Sequence, residues 1–273
     1  MGEIVMKYYL STLIAGVDHR DNRFEDVARR VMAWNEPDIG VEIAAFTHDE
    51  AYWQRVVRFM DEVTCPCTFH GPWIGVEVTS DPDSEAGAWL RTAYERVFDL
   101  AAQHHVRHVV VHYSQLSFTE EEHAQAQAHA YRNLEDLLQM ADDRGVNMVI
   151  ENLARQAHGK HLFTNDEYME LFTRFPNAHS IIDVGHANVN RLDVKQMLMT
   201  YGPRVTSFHL HNNDGTADQH LEIHAPQGTA DVAQVVRWAK EYTPDANMVL
   251  EYEPHVTLTM PQLRAQLEEI RAL

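Results

Sequence analysis

The chain has 273 residues, of which 45% are hydrophobic and 23% charged, so it can bury one sizeable core and is not generally disordered. No run approaches the roughly eighteen uncharged apolar residues of a membrane span. Lys and Arg number 22 against 41 Asp and Glu, and the formal charge of −19 disfavours tight electrostatic binding of nucleic acid.

The opening MGEIVMKYYLSTLIAG is interrupted by Glu3 and Lys7 and has no basic stretch leading to a cleavage site. It reads as a strand and not a signal peptide, and the expected location is the cytoplasm. From there, short Val-, Ile- and aromatic-rich runs alternate with amphipathic stretches. A strand over Tyr8–Ile14 leads to a helix over Asn22–Ala33, and a strand over Gly40–Phe46 to a helix over Asp49–Asp61. Strands over Cys67–Gly71 and His108–Tyr113 precede the two longest helices, Ser84–Gln103 and Glu120–Asp143. The pattern continues with Asn147–Asn152 and Asn165–Arg174, then Ser180–Asp183 and Val194–Thr200. It closes with Thr206–His211 and Ala230–Glu241, then Met248–Tyr252 and Pro261–Ile270. Thr119 and Asn165 read as helix starts, and Pro261 lies just inside the last helix. Cys65 and Cys67, two residues apart, read as free thiols.

Eight strand–helix pairs, with strand starts roughly 25 to 42 residues apart, predict a (β/α)8 TIM barrel filling residues 1–273 as a single domain. An open doubly wound sheet fits less well, since no glycine-rich phosphate loop follows the first strand. Barrel chemistry sits where strands end. There the sequence places His70, His112, Glu151, Asp183, His209 with His211, and Glu251 with Glu253, while His186 follows Asp183, and Asp218 and His220 follow the seventh strand. Carboxylates at a packed mouth need compensation, which bound divalent cations supply. Mixed imidazole and carboxylate donors suit Zn²⁺, Mn²⁺ or Fe²⁺. Spacing by two makes His209 and His211 face the same way, and likewise Glu251 and Glu253. The other histidines (His19, His48, His104, His105, His123, His129 and His179) read as residues of surface loops and helices.

The segments HGPW, ENLA, DVGHAN, FHLHNND with DQH, and LEYEP resemble the xylose isomerase-like barrel superfamily, which includes sugar isomerases and epimerases and apurinic endonucleases of the endonuclease IV type. The isomerase resemblance implies one ion held by Glu151, Asp183, His209 and Glu251, the two glutamates shuttling a proton and His186 touching a hydroxyl. The endonuclease resemblance implies three ions: one on His70, His112 and Glu151, one on Glu151, Asp183, His209 and Glu251, and one on His186, Asp218 and His220. All nine positions are filled, and this favours hydrolysis of a small phosphodiester or sugar phosphate with two or three Zn²⁺ or Mn²⁺ ions per chain. Sugar or sugar-phosphate isomerisation or epimerisation with one ion is the alternative, and abasic-site cleavage and a non-enzymatic metal-binding barrel rank below it. Trp73, the loop Leu153–Gly159 and His211 depart from the endonuclease pattern. Expected substrate contacts are Trp73, Tyr113, Arg155, Lys160 and His211.

Overall fold

The computed structural model describes residues 6–17, 20, 22–156 and 158–273; Glu3, His19 and residue 157 of the Leu153–Gly159 loop lie outside the described residues. Eight parallel strands form a closed barrel in sequential order. They are β1 (Tyr8–Ser11), β2 (Ile39–Ala44), β3 (Cys67–His70), β4 (Val109–Val111), β5 (Met148–Glu151), β6 (His179–Asp183), β7 (Val205–Leu210) and β8 (Asn247–Leu250). Pairing of Tyr8 with Met248 and of Leu10 with Leu250 closes the ring. No described helix is long and apolar enough to cross a membrane.

The surrounding helices are α1 (Phe24–Met32), α2 (Glu50–Phe59), α3 (Glu85–Gln103), α4 (Glu120–Asp142), α5 (Asn165–Arg174), α6 (Val184–Asn190), α7 (Val194–Tyr201), α8 (Val232–Tyr242) and α9 (Met260–Ala272). Helix α1 shows why such segments dock: Phe24, Val27, Ala28 and Val31 fall on one stripe, and all are buried. Thr119 starts α4 through a reciprocal capping box with Glu122. The start of α5 corrects the sequence reading by one residue, because Thr164 caps it with Glu167 and Asn165 is already helical. Helix α6 was not expected. The strands are also shorter than expected at their C-terminal ends, so His112, His211 and Glu251 lie just past their ladders. His179 is the first residue of β6 and half-buried, not a surface loop residue.

Most of the core lies between barrel and helices, while Val110, Val149 and Ile181 form a separate small cluster. The strand period explains it: these three share a face with His112, Glu151 and Asp183, two residues further along each strand. An apolar layer inside the barrel thus supports a layer of donors at its mouth. The loop after β3, which carries Trp73, is anchored from α4 by Asn133, whose buried amide donates to Val78 O at 2.7 Å and Ser80 O at 2.8 Å. Asn133→Ala leaves both carbonyls without that donor and should cost about 1–3 kcal/mol, measured by urea denaturation.

Candidate metal centre

Among the described residues, three groups of side chains bring ligand-type atoms within 4.8 Å of one another. The first is His70, His112 and Glu151; the second is Glu151, Asp183, His209 and Glu251; the third is His186, His211, Asp218 and His220. All nine ligand positions expected from the sequence are therefore brought together, with Glu151 common to two groups. His211 joins the third group, where the sequence reading had placed it as a substrate contact.

Local structure explains each placement. Glu151 ends β5, and its Oε2 lies 2.9 Å from His112 Nε2 while Oε1 lies 3.1 Å from His186 Nδ1. Asp183 ends β6 and caps α6, accepting the His186 N–H at 2.5 Å. The same carboxylate faces His211 Nε2 at 2.9 Å and 3.0 Å. Asn152 locks the neighbouring strand end: its side chain receives Asp183 N–H and donates to Asp183 O, and its carbonyl lies 2.8 Å from His186 Nδ1. That carbonyl fixes the proton on Nδ1 and turns His186 Nε2 toward Asp218 Oδ2, 3.0 Å away. His220 reaches the same Asp218 oxygen at 3.1 Å. It holds a left-handed backbone, φ 43°, with its ring stacked on His211 at 4.0 Å. Asn212 and Asn213 brace this loop through bonds to Ala230 and to Gly185 O.

The charge balance fits cation binding. Glu151, Asp183 and Glu251 are buried together, and both Glu251 Oε1 and His209 Nδ1 are buried without a hydrogen-bond partner among the described residues. Burial would raise the Glu151 carboxyl, but His112 and His209 hold it well below the usual range. Burial pushes Glu251 up to about 8 against the pull of His209 and His220. Burial lowers His209, and Glu251, Glu42 and Glu151 outweigh it to hold the ring well above its ordinary value. His220 is carried to about 10 because Asp218 outweighs burial. Burial, reinforced by His112, drops His70 to about 3, leaving it neutral. Without a cation, then, protonated imidazoles and a protonated Glu251 carry the compensation. Oxygen and nitrogen donors in this mixture suit a divalent ion such as Zn²⁺ or Mn²⁺.

Above the groups opens a cavity of about 530 Å³. Glu151 and Glu251 line it, whereas Asp183 and His209 do not. His70, His112, His186, Asp218, His220 and Glu253 also reach it, with Trp73 as a wall packed 4.4 Å from the His70 ring. Arg155, on the exposed loop after β5, lines the cavity as expected. Three expected substrate contacts, Tyr113, Lys160 and His211, do not. Tyr113 is buried with its hydroxyl at Leu153 N and His161, and Lys160 turns outward to Glu120, 2.6 Å away. His211 is buried beneath the cavity. Glu42 on β2 was not anticipated: wholly buried, it touches His209 Nε2 at 3.1 Å. Its signal was present, a lone carboxylate between Val41 and Ile43 in mid-strand.

An uncharacterized protein of Methanocaldococcus jannaschii is 26% identical over 125 residues, a match spanning 44% of this chain and 42% of that relative. Solved structures share the fold over nearly the whole chain. A D-tagatose 3-epimerase-like protein superposes with TM-score 0.75 at 18% identity, over 97% of this chain and 98% of the other. A protein of Thermus thermophilus soaked with ZnCl2 gives 0.68 at 19% identity, over 98% of each chain. D-psicose 3-epimerase with D-tagatose, from Clostridium cellulolyticum, gives 0.73 at 14% identity, over 98% of this chain and 97% of that one. The family model for the xylose isomerase-like TIM barrel matches residues 30–273, and the chain belongs to that family.

Proposed function

We propose that the chain is a divalent-metal-dependent isomerase or epimerase of a small keto sugar, with Glu151 and Glu251 as its acid–base pair. The observation that carries this reading is the division within one ligand group: Glu151 and Glu251 reach the cavity, and Asp183 and His209 lie below it. Two ligand-type residues beneath the cavity and two glutamates lining it suit proton transfer at a carbon beside a carbonyl. Several similar solved structures are named as ketose 3-epimerases, which favours this branch over the phosphoester hydrolysis favoured from the residues alone.

Glu151, Asp183, His209 and Glu251 would hold the ion. When bound there, a divalent cation would supply Lewis-acid chemistry, making the C–H beside the substrate carbonyl more acidic. One glutamate, as its carboxylate, removes that proton and becomes the acid, and the other, entering as its carboxylic acid, gives its proton to the opposite face and becomes the carboxylate, inverting the carbon; the reverse reaction exchanges their roles. Return of the proton to the neighbouring carbon gives isomerisation instead. His186, its Nδ1 held by Asn152 O and its Nε2 by Asp218, lines the cavity beside a sugar hydroxyl. Trp73 walls the cavity with an apolar face, and Arg155 supplies a cation at the rim.

Chelated protein should be silent toward ketoses such as D-tagatose, and returned Mn²⁺ or Zn²⁺ should restore interconversion of epimers, followed by NMR. Full turnover after complete chelation would refute the reading. Cation binding should also release a proton, because His209, one of the four residues that would hold the ion, keeps its second ring proton well above the ordinary range in the metal-free chain. Apparent affinity therefore rises with pH through the neutral range, and titration calorimetry in two buffers of different ionisation enthalpy checks it. A buffer-independent heat would contradict the protonation scheme.

The two further ligand groups around the first favour a second reading, phosphoester hydrolysis at a multinuclear centre. Elemental analysis separates them: one equivalent of bound metal supports the isomerase or epimerase, three support the hydrolase.

A further inference from the structure

Glu42 lies in the middle of β2, a layer below the strand ends, and is wholly buried. It does not line the cavity, so it meets no substrate. A buried carboxylate is costly unless something compensates it, and among the described residues its ion-pair partners are two histidines. Glu42 Oε1 lies 3.1 Å from His209 Nε2, and Oε2 accepts from Thr68 Oγ1 at 3.2 Å with His108 Nε2 3.7 Å away. The opposite nitrogen of His209, Nδ1, faces the ligand group, 3.3 Å from Glu251 Oε2, 3.5 Å from Glu151 Oε2 and 3.9 Å from Asp183 Oδ2. It makes no hydrogen bond there among the described residues.

A neutral imidazole carries one proton, on one nitrogen or the other. An ionised carboxylate only accepts, so its neighbour nitrogen must be the one that carries the proton. We propose that Glu42 is a positioning residue: it takes the His209 Nε2–H, fixes the ring's tautomer and angle, and so presents the Nδ1 lone pair to the cation. Thr68, on the adjacent strand β3, holds the Glu42 carboxylate in turn. The inference rests on His209 being a ligand, as assigned under the proposed function. A carboxylate behind a ligating imidazole typically contributes 10–100-fold in affinity.

The test titrates the purified full chain with Zn²⁺ and reads the His209 ring nitrogens by 15N NMR with and without the ion. Glu42→Gln should weaken Zn²⁺ binding about 10–100-fold. Thr68→Val should weaken it less, in the same direction, and His209→Ala should weaken it most. In the wild type, Zn²⁺-loaded His209 should carry its proton on Nε2; Glu42→Leu, read metal-free at a pH where the ring is neutral, should leave a mixture of tautomers. A merely structural role for Glu42 would lower the melting temperature of the metal-free chain and leave affinity and tautomer unchanged. Wild-type affinity in Glu42→Gln with a loss in His209→Ala overturns the positioning role and leaves the ligand assignment standing. Wild-type affinity in His209→Ala overturns the ligand assignment itself. If Glu42→Gln fails to fold, Thr68→Val and the wild-type spectrum decide: unchanged affinity in that variant, or a proton on Nδ1 in the loaded wild type, overturns the proposal.

Discussion

Replacing Glu151 with Gln should lower keto-sugar turnover about 10²–10⁴-fold while the chain stays folded. Three roles converge on this carboxylate. It belongs to two of the three ligand groups, it lines the cavity, and it balances His112 and His186 at 2.9 Å and 3.1 Å. The amide keeps the shape and one acceptor oxygen but loses the charge that holds a cation and the basicity that takes a proton. The apolar layer beneath, Val110, Val149 and Ile181, is untouched, so the barrel persists. Steady-state rates, Zn²⁺ affinity and the circular dichroism melt together check the expectation. Turnover near wild type in Glu151→Gln would be incompatible with either enzymatic reading of the site.

Gly185→Ala should damage the centre from beneath. A Cβ at Gly185 would lie 2.0 Å from His211 Cε1 and 2.5 Å from its Nδ1. That ring cannot swing aside: its Nε2 is held at the Asp183 carboxylate, and its face is stacked on His220. Either α6 shifts away from β7 or His211 is displaced, and overpacking of this kind costs about 1–3 kcal/mol. Because Gly185 O also accepts from Asn213, a shift of α6 would loosen the loop that carries Asp218 and His220. Denaturant melts should show the loss of stability, and Zn²⁺ titration should show weakened binding at the group of Glu151, Asp183, His209 and Glu251, since His211 is held on Asp183. A variant with unchanged stability and binding would mean that the close approach is relieved at no cost.

The barrel was legible because its signal is repetitive. Each strand is a short run of Val, Ile or aromatic residues, and the third to the eighth lead into His, Asp or Glu. A parallel strand buried on both faces leaves little else to read. Its boundaries were less legible, since the ladder stops before the functional residue and His112 and Glu251 project from just beyond it. Helix α6 was missed because Val184–Asn190 carries no amphipathic stripe: five of its seven residues are buried, and a glycine and a histidine are among them. The residues that gather into the three groups were legible mainly from strand ends. Glu42 was not, because attention to strand ends passes over a carboxylate one layer down. The orientations of Tyr113 and Lys160 depend on the loops after β4 and β5, whose packing partners, Leu153, His161 and Glu120, have no fixed spacing from them in the sequence.

Proton transfer at a carbon beside a carbonyl leaves a direct trace, solvent deuterium entering that carbon. The metal-loaded chain is incubated in D2O with a ketose, and the carbon position is read by NMR and mass spectrometry. Metal-dependent incorporation of one deuteron at the inverted carbon is the expected result, lost on chelation and in Glu251→Gln. No incorporation into any ketose, with cleavage of a phosphoester by the same preparation, would contradict it.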